Sequence, residues 1–289
     1  MEGKTEKEYL GIDAHVHLYP NGIAEKVVKT LSERFGNAPS FDGTVEGCKT
    51  KDAAAKIAIS INLPVATKPD SVGHTNEFWA PYAPRRASAA LSARDGAQLE
   101  SSPRVVSLAC FHPLVKNKKE ELARIVDLGF TGIKFHPEYQ LFRFNDSAMD
   151  EVWSFMSERK IVAYLHAGGE RVFQPPYHSS PKEILRLKER FPKRESGAAP
   201  LGGFGMWDEA EEVLAGSDVY LDLSHTFFWM KDEQIMRFIG KHGARKILFG
   251  SDAPWQDPGS VLKAFLKLDL APENKKMILY ENALRLFSL

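Results

Sequence analysis

Residues 9–17 read Tyr-Leu-Gly-Ile-Asp-Ala-His-Val-His. Tyr9 to Val16 is a short, largely apolar run of strand type, and its end carries His15 and His17, two residues apart. Outward from this stretch a pattern repeats. Asn21 to Phe35 follows, with Ile23, Val27, Val28 and Leu31 at helical spacing. Lys56 to Leu63, Arg104 to Phe111, Thr131 to Phe135, Lys160 to His166, Asp218 to Ser224 and Lys246 to Gly250 read as further strands. Lys118 to Leu128, Asp146 to Arg159, Ser180 to Phe191, Met206 to Leu214, Asp232 to His242, Ser260 to Leu268 and Pro272 to Leu289 read as helices.

Strand–helix alternation implies a parallel sheet covered by helices. Eight such units in about 250 residues is the size of a (β/α)8 TIM barrel, the predicted fold, in one domain over residues 1–289. A doubly wound open sheet is the competitor, but no G-x-G-x-x-G follows the first strand. The strand due between Phe191 and Met206 is weak. Only Gly197 to Leu201 qualifies, and Pro200 inside it removes a ladder donor, so strand six is expected to be irregular or degraded. Ala80 to Pro103 reads as an irregular loop region.

Composition narrows the function classes. Lys plus Arg and Asp plus Glu number 38 each, so net charge is zero, which argues against a sequence-independent nucleic-acid binder. Two cysteines, Cys48 and Cys110, support neither a disulfide framework nor a Cys-rich zinc site, and a reducing cytoplasmic setting is expected. The charged start, Met1 to Leu10, lacks the apolar centre of a signal peptide, and no apolar run approaches the roughly 20 residues of a membrane span. The expected partner is a small-molecule substrate. Phe78, Trp79 and Tyr82 form an aromatic cluster, read as core packing in preference to a homo-oligomer interface.

Six of nine histidines fall at or just past predicted strand ends: His15, His17, His112, His136, His166 and His225. In a barrel those ends converge on the face that carries the active site. Any one alone reads more simply as a structural histidine; together they point to metal, because neutral imidazole is the commonest metal ligand. His15 and His17 lie on one side of a strand, about 6.5–7 Å apart, close enough to share an ion. Asp13 precedes them on that side. His166 ends strand five before Gly168 and Gly169, and Asp252 follows the last strand, where its plain reading is a turn residue. His15, His17, His166 and Asp252 make a mixed N and O ligand set for one divalent metal; it suits zinc and tolerates manganese or iron. Asp252 is also a candidate proton acceptor from a bound water. Lys134 and His136 share a face of strand four, with packing or ion pairing as their plain reading. Arg143 and Arg171 lie in loops where either could hold a carboxylate, although a solvated surface arginine is the simpler assignment.

Taken together, Ile12-Asp13-Ala14-His15-Val16-His17, Gly132-Ile133-Lys134-Phe135-His136-Pro137, His166, Leu248-Phe249-Gly250-Ser251-Asp252-Ala253-Pro254-Trp255 and Tyr280-Glu281-Asn282-Ala283-Leu284-Arg285-Leu286-Phe287 resemble the amidohydrolase superfamily. The branch is the amidohydrolase-related one, which includes metal-dependent hydrolases and aminocarboxymuconate- and resorcylate-type decarboxylases. The resemblance implies a (β/α)8 barrel with a metal at the strand C-termini, held by His15, His17, His166 and Asp252. It also implies a histidine after strand six, a position occupied here by Pro200, which leaves His225 or His136 to carry the catalytic proton. The expected activity is metal-dependent hydrolysis of a C–N or C–O bond, with Lys134, Arg143 and Arg171 on the substrate. The alternatives are non-oxidative decarboxylation of an aromatic or muconate-type acid, favoured by an arginine aimed into the site, and a non-catalytic binding barrel, favoured by Pro200.

Overall fold

The computed structural model describes residues 11–84, 102–170 and 172–289. Arg171, Tyr9 and Leu10 of the first strand, and most of the Ala80 to Pro103 region lie outside the described residues. Eight parallel strands run in sequence order: β1 (Gly11–Val16), β2 (Ile57–Asn62), β3 (Arg104–Ser107, resuming after Leu108 as Ala109–Cys110), β4 (Gly132–Phe135), β5 (Val162–Gly168), β6 (Ser196–Phe204), β7 (Tyr220–Asp222) and β8 (Ile247–Leu248). The Leu108 N–H donates to the Asn62 carbonyl at 3.0 Å, which keeps β3 on β2 across its break. The last edge closes on the first: Ala14 N–H donates to Phe249 O at 2.9 Å and His17 N–H to Ala253 O at 2.7 Å. The sheet is therefore a closed (β/α)8 barrel, as its alternation predicts.

The predicted helices form, several with the expected signals. Asn21–Phe35 (α1) ends at Gly36 in the left-handed conformation. Pro181–Arg190 starts on Ser180, whose hydroxyl accepts from the Glu183 N–H. The helices Val45–Ala55 and Val72–Trp79 are absent from the sequence reading. The first has almost no amphipathic stripe in VEGCKTKDAAA, so periodicity carries no signal there. Trp79 is a core residue, with Phe78 and Tyr82 packed edge-on against it. No helix among the described residues is long and apolar enough to cross a membrane.

Strand six is present and irregular. Its pairing to β5 is regular from Ala163↔Ser196 to His166↔Ala199, then skips to Gly168↔Phe204. The skipped stretch begins at Pro200, where the missing N–H interrupts the ladder. A buried cluster including Ile12, Ile59, Val106, Leu108, Tyr164 and Leu248 joins Ala283, Leu286 and Phe287 of the C-terminal helix. Thr131, just before β4, donates its hydroxyl to Phe287 O at 3.2 Å. The C-terminal helix thus closes the end of the barrel at the strand starts, and the opposite end, where the histidines sit, stays open.

Candidate metal centre and cavity

A cavity of about 430 Å³ occupies that open end. His15, His17, Lys134, His136, His166, His225 and Asp252 all line it. His112 does not: its Nδ1 accepts from the Leu114 N–H at 3.1 Å, a turn-forming role.

His15 sits where the β1–β2 register shifts between Asp13 and Val16, an irregularity that re-aims side chains, and His17 follows just past the strand end. Asp13 does not join them. Its Oδ1 accepts from the N–H groups of His15 (3.1 Å) and Ser251 (2.9 Å), tying β1 to the loop after β8. Burial pushes its carboxyl up to about 8. Gly250 lets that loop come close, since a Cβ there would stand 3.0 Å from His15 Cβ. Asp252 and His225 hold left-handed backbone, φ 67° and 53°. For non-glycine residues this costs about 1–2 kcal/mol each, and such strain clusters at functional sites.

The proton positions follow from the partners. His15 Nδ1 faces Asp222 Oδ2 at 2.8 Å, and His17 Nδ1 faces the Leu63 carbonyl at 3.1 Å. Each partner only accepts, so each Nδ1 carries the hydrogen and each Nε2 presents a lone pair. The two Nε2 atoms lie 3.2 Å apart, and Asp252 Oδ1 lies 3.2 Å from one and 3.3 Å from the other. Three acceptors thus converge with no hydrogen between them. Ligands at about 2.05 Å in a tetrahedron stand about 3.3 Å apart, so the trio fits one divalent ion.

Charge supports the same assignment. Burial lowers His15, keeping the ring neutral. Burial alone would raise Asp252, but His225, whose Nε2 hydrogen points at Oδ2, holds its carboxyl well below the usual range. Asp222 is fully buried, a position that alone would raise it; His15, Ser224 and Tyr164 hold it ionised. Lys134, 1% exposed, is lowered to about 8 by burial.

The other site residues divide. His225 Nε2 lies 2.7 Å from Asp252 Oδ2, and the Gln256 amide donates to its Nδ1 at 3.2 Å, so Nε2 carries the hydrogen. His166 lies apart from the trio, with Nε2 3.1 Å from the Gly169 carbonyl and its ring stacked on His136 at 3.9 Å and 9°. His136, His166 and Glu170 form a second group of neighbouring donors. Parallel rings send their in-plane lone pairs side by side, however, so these two do not aim at one ion. Burial, His166 and Lys134 push His136 well below its ordinary value. Arg143 does not line the cavity; its Nη1 points to the Tyr177 carbonyl at 3.5 Å. Pro200 and Phe204 supply apolar wall instead of the strand-six imidazole.

The sequence reading missed Asp222, Glu170, Tyr139 and the orientation of α1. Asp222 had a signal: a carboxylate inside an apolar strand. The α1 stripe Ile23, Val27, Leu31 and Phe35 faces the cavity, and only Ala24 and Val28 are buried in the core.

An amidohydrolase family model matches residues 12–289. The chain belongs to the amidohydrolase family. No curated protein matches it in sequence. Among solved structures, an uncharacterized TIM-barrel protein from Bordetella bronchiseptica is similar at 17% identity and TM-score 0.73, over 96% of this chain and 98% of that one. A 2,6-dihydroxybenzoate decarboxylase from Rhizobium is similar at 15% identity and TM-score 0.69, over 97% and 99%. A 5-carboxyvanillate decarboxylase from Novosphingobium aromaticivorans, complexed with manganese and 4-hydroxy-3-methoxy-5-nitrobenzoic acid, is similar at 15% and 0.70, over 98% and 97%. At these identities the likeness is one of fold, and it extends over essentially the whole chain.

Proposed function

We propose that this amidohydrolase family member is a metal-dependent, non-oxidative decarboxylase of a small organic acid. His15, His17 and Asp252 would hold one divalent cation, manganese or zinc. The observation that carries this reading is Lys134: a buried cation at a cavity floor shared with the trio, opposite the aliphatic face of α1. Manganese in a decarboxylase of the same fold supports it.

The reaction converts R–COO⁻ and one proton into R–H and CO2. When bound, the metal supplies a Lewis acid that orients substrate oxygens and steadies negative charge as it develops. The Lys134 ammonium fixes the carboxylate beside it. Ile23, Val27, Leu31 and Phe35 exclude water from the substrate's body, which favours loss of a charged group as neutral CO2. His225 faces Asp252 Oδ2 through Nε2, and we assign it the protonation of carbon as the imidazolium, with the Gln256 amide oxygen turned to Nδ1–H so that loss of the proton leaves a neutral ring. His136 is held neutral and serves as wall.

Hydrolysis of a C–N or C–O bond is the second reading. The 2.7 Å His225–Asp252 contact favours it, because that pair can take a proton from attacking water and pass it to a leaving group. The test uses protein stripped by chelator and reloaded with one equivalent of Mn²⁺ or Zn²⁺. It is given 2,6-dihydroxybenzoate, 5-carboxyvanillate and a panel of amides and lactones. Metal-dependent CO2 release supports the proposal. Acid release without CO2 replaces it with hydrolysis. Metal and ligand binding with neither product replaces it with a binding barrel.

A further inference from the structure

An amphipathic helix ordinarily turns its apolar stripe to the protein core. In α1 only Ala24 and Val28 do so, whereas the larger Ile23, Val27, Leu31 and Phe35 line the cavity. Val27, Leu31 and Phe35 stay half-buried and Ile23 is 49% exposed, so the stripe is short of apolar cover. The cavity of about 430 Å³ has the size of a small-molecule site and is too small for a helix or strand of another protein. What completes the cover of this stripe is therefore a ligand that enters the cavity.

The dimensions and the charge of the cavity say which kind. From Ile23 to Phe35 the stripe runs about 18 Å, at ~1.5 Å per residue. Phe35 packs edge-on against Trp255 at 5.5 Å and closes one end, while exposed Ile23 marks the other end as open. Leu63, Pro64 and Val65, which follow β2, add to the apolar lining. A compact single-ring acid spans less than half of this wall. Lys134 is the one lysine or arginine among the described lining residues, and Glu170 opposes a second anionic group. The cavity thus offers one position for an anion and a long apolar wall for the rest of the molecule.

We propose that the substrate is a monoacid bearing a linear alkyl chain, its carboxylate at Lys134 and the trio and its chain laid along α1 toward Ile23. The proposal deepens the decarboxylase reading and rests on it only for the fate of the carboxylate. The chain takes no part in the chemistry; it sets which acid is accepted.

The experiment measures binding to the Mn²⁺-loaded protein by calorimetry, using benzoate and 4-n-alkylbenzoates from ethyl to dodecyl. Affinity is expected to rise about three- to fourfold per methylene, the value of a buried CH2, with one ligand per chain. The rise should level off by about ten carbons, because an extended chain advances about 1.25 Å per carbon and then passes the end of the wall. Leu31→Gln should weaken the octyl compound at least tenfold more than it weakens benzoate. Ile23→Gln, a change at an exposed position that keeps the fold, should weaken only the longer chains. Two results overturn the chain site: affinity that does not grow with chain length, or growth that both variants leave untouched, which puts the chain on another surface. A Leu31-dependent gain with chain length, in a protein that releases no CO2 from alkyl-substituted 2,6-dihydroxybenzoates, overturns decarboxylation and leaves the chain site standing. CO2 release from 2,6-dihydroxybenzoate with kcat/KM unchanged by an added alkyl chain overturns the chain site alone.

Discussion

Replacing Asp252 by Asn tests the convergence of three acceptors directly. The Asn amide nitrogen would take the place of Oδ1, 3.2 Å from His15 Nε2 and 3.3 Å from His17 Nε2, and would donate one hydrogen to each lone pair. The Asn oxygen would still accept from His225 Nε2. Two new hydrogen bonds are worth about 1–3 kcal/mol, and weakening the His225 bond from charged to neutral returns about 1 kcal/mol. Asn is at ease in the left-handed backbone of position 252, so the strain does not grow. Metal-free Asp252→Asn is therefore expected to be about 1 kcal/mol more stable than the metal-free parent. With unfolding entropy near 2.1 cal/mol/K per residue, that is a rise of just under 2 °C for a chain of this length. The parent gains about 2.7 kcal/mol from an ion at 100 times its dissociation constant, or about 4–5 °C. The variant gains nothing. Differential scanning fluorimetry at pH 8 reads both effects. A metal-free variant melting several degrees below its parent, or one that still climbs 4–5 °C with metal, would refute the three-acceptor argument.

Two further outcomes follow from the layer beneath. Asp222→Asn weakens the anchor on His15 Nδ1–H, and metal affinity should fall about 10- to 100-fold in competition with a chromogenic chelator; unchanged affinity would show that Asp222 does not govern the His15 tautomer. Lys134→Met should abolish turnover while stabilising the metal-free fold at pH 7 by about 3 kcal/mol, from a value lowered from 10.5 to about 8. The sign is fixed by proton counting. Between pH 8 and 10.5 the unfolded chain binds more protons at Lys134 than the folded one, so parent stability rises with pH there, and the variant's urea midpoint should lack that rise.

The barrel was legible because its strands are short apolar runs and its helices carry strong stripes with conventional ends. Where either cue failed, so did the reading. Val45–Ala55 has no stripe, and β6 is hidden by Gly197, Pro200, Gly202 and Gly203, residues that propensity assigns to loops. Tertiary pairing to β5 outweighs that propensity up to Ala199 and loses to it beyond, where the register skips. Strand six is thus neither missing nor regular, and its irregular half faces the cavity.

For the site, residue type and position on a strand end placed five histidines, Lys134 and Asp252 on one cavity wall, because topology alone gathers strand ends. What topology does not encode is direction. Asp13 and Asp252 are both acids beside the histidines, but Asp13 spends one oxygen on backbone N–H groups and the other on the Ser251 hydroxyl, while Asp252 spends one on the trio. His15 and His166 are both strand-end imidazoles, but Asp222 turns the first toward Asp252 while the Gly169 carbonyl takes the second. The deciding partners sit tens to hundreds of residues away in sequence, so ligand choice is set by hydrogen bonds that only the folded barrel makes. The same limit applies to an anion clamp. Arg143 looked suitable from its loop, yet its nearest acceptor is a carbonyl.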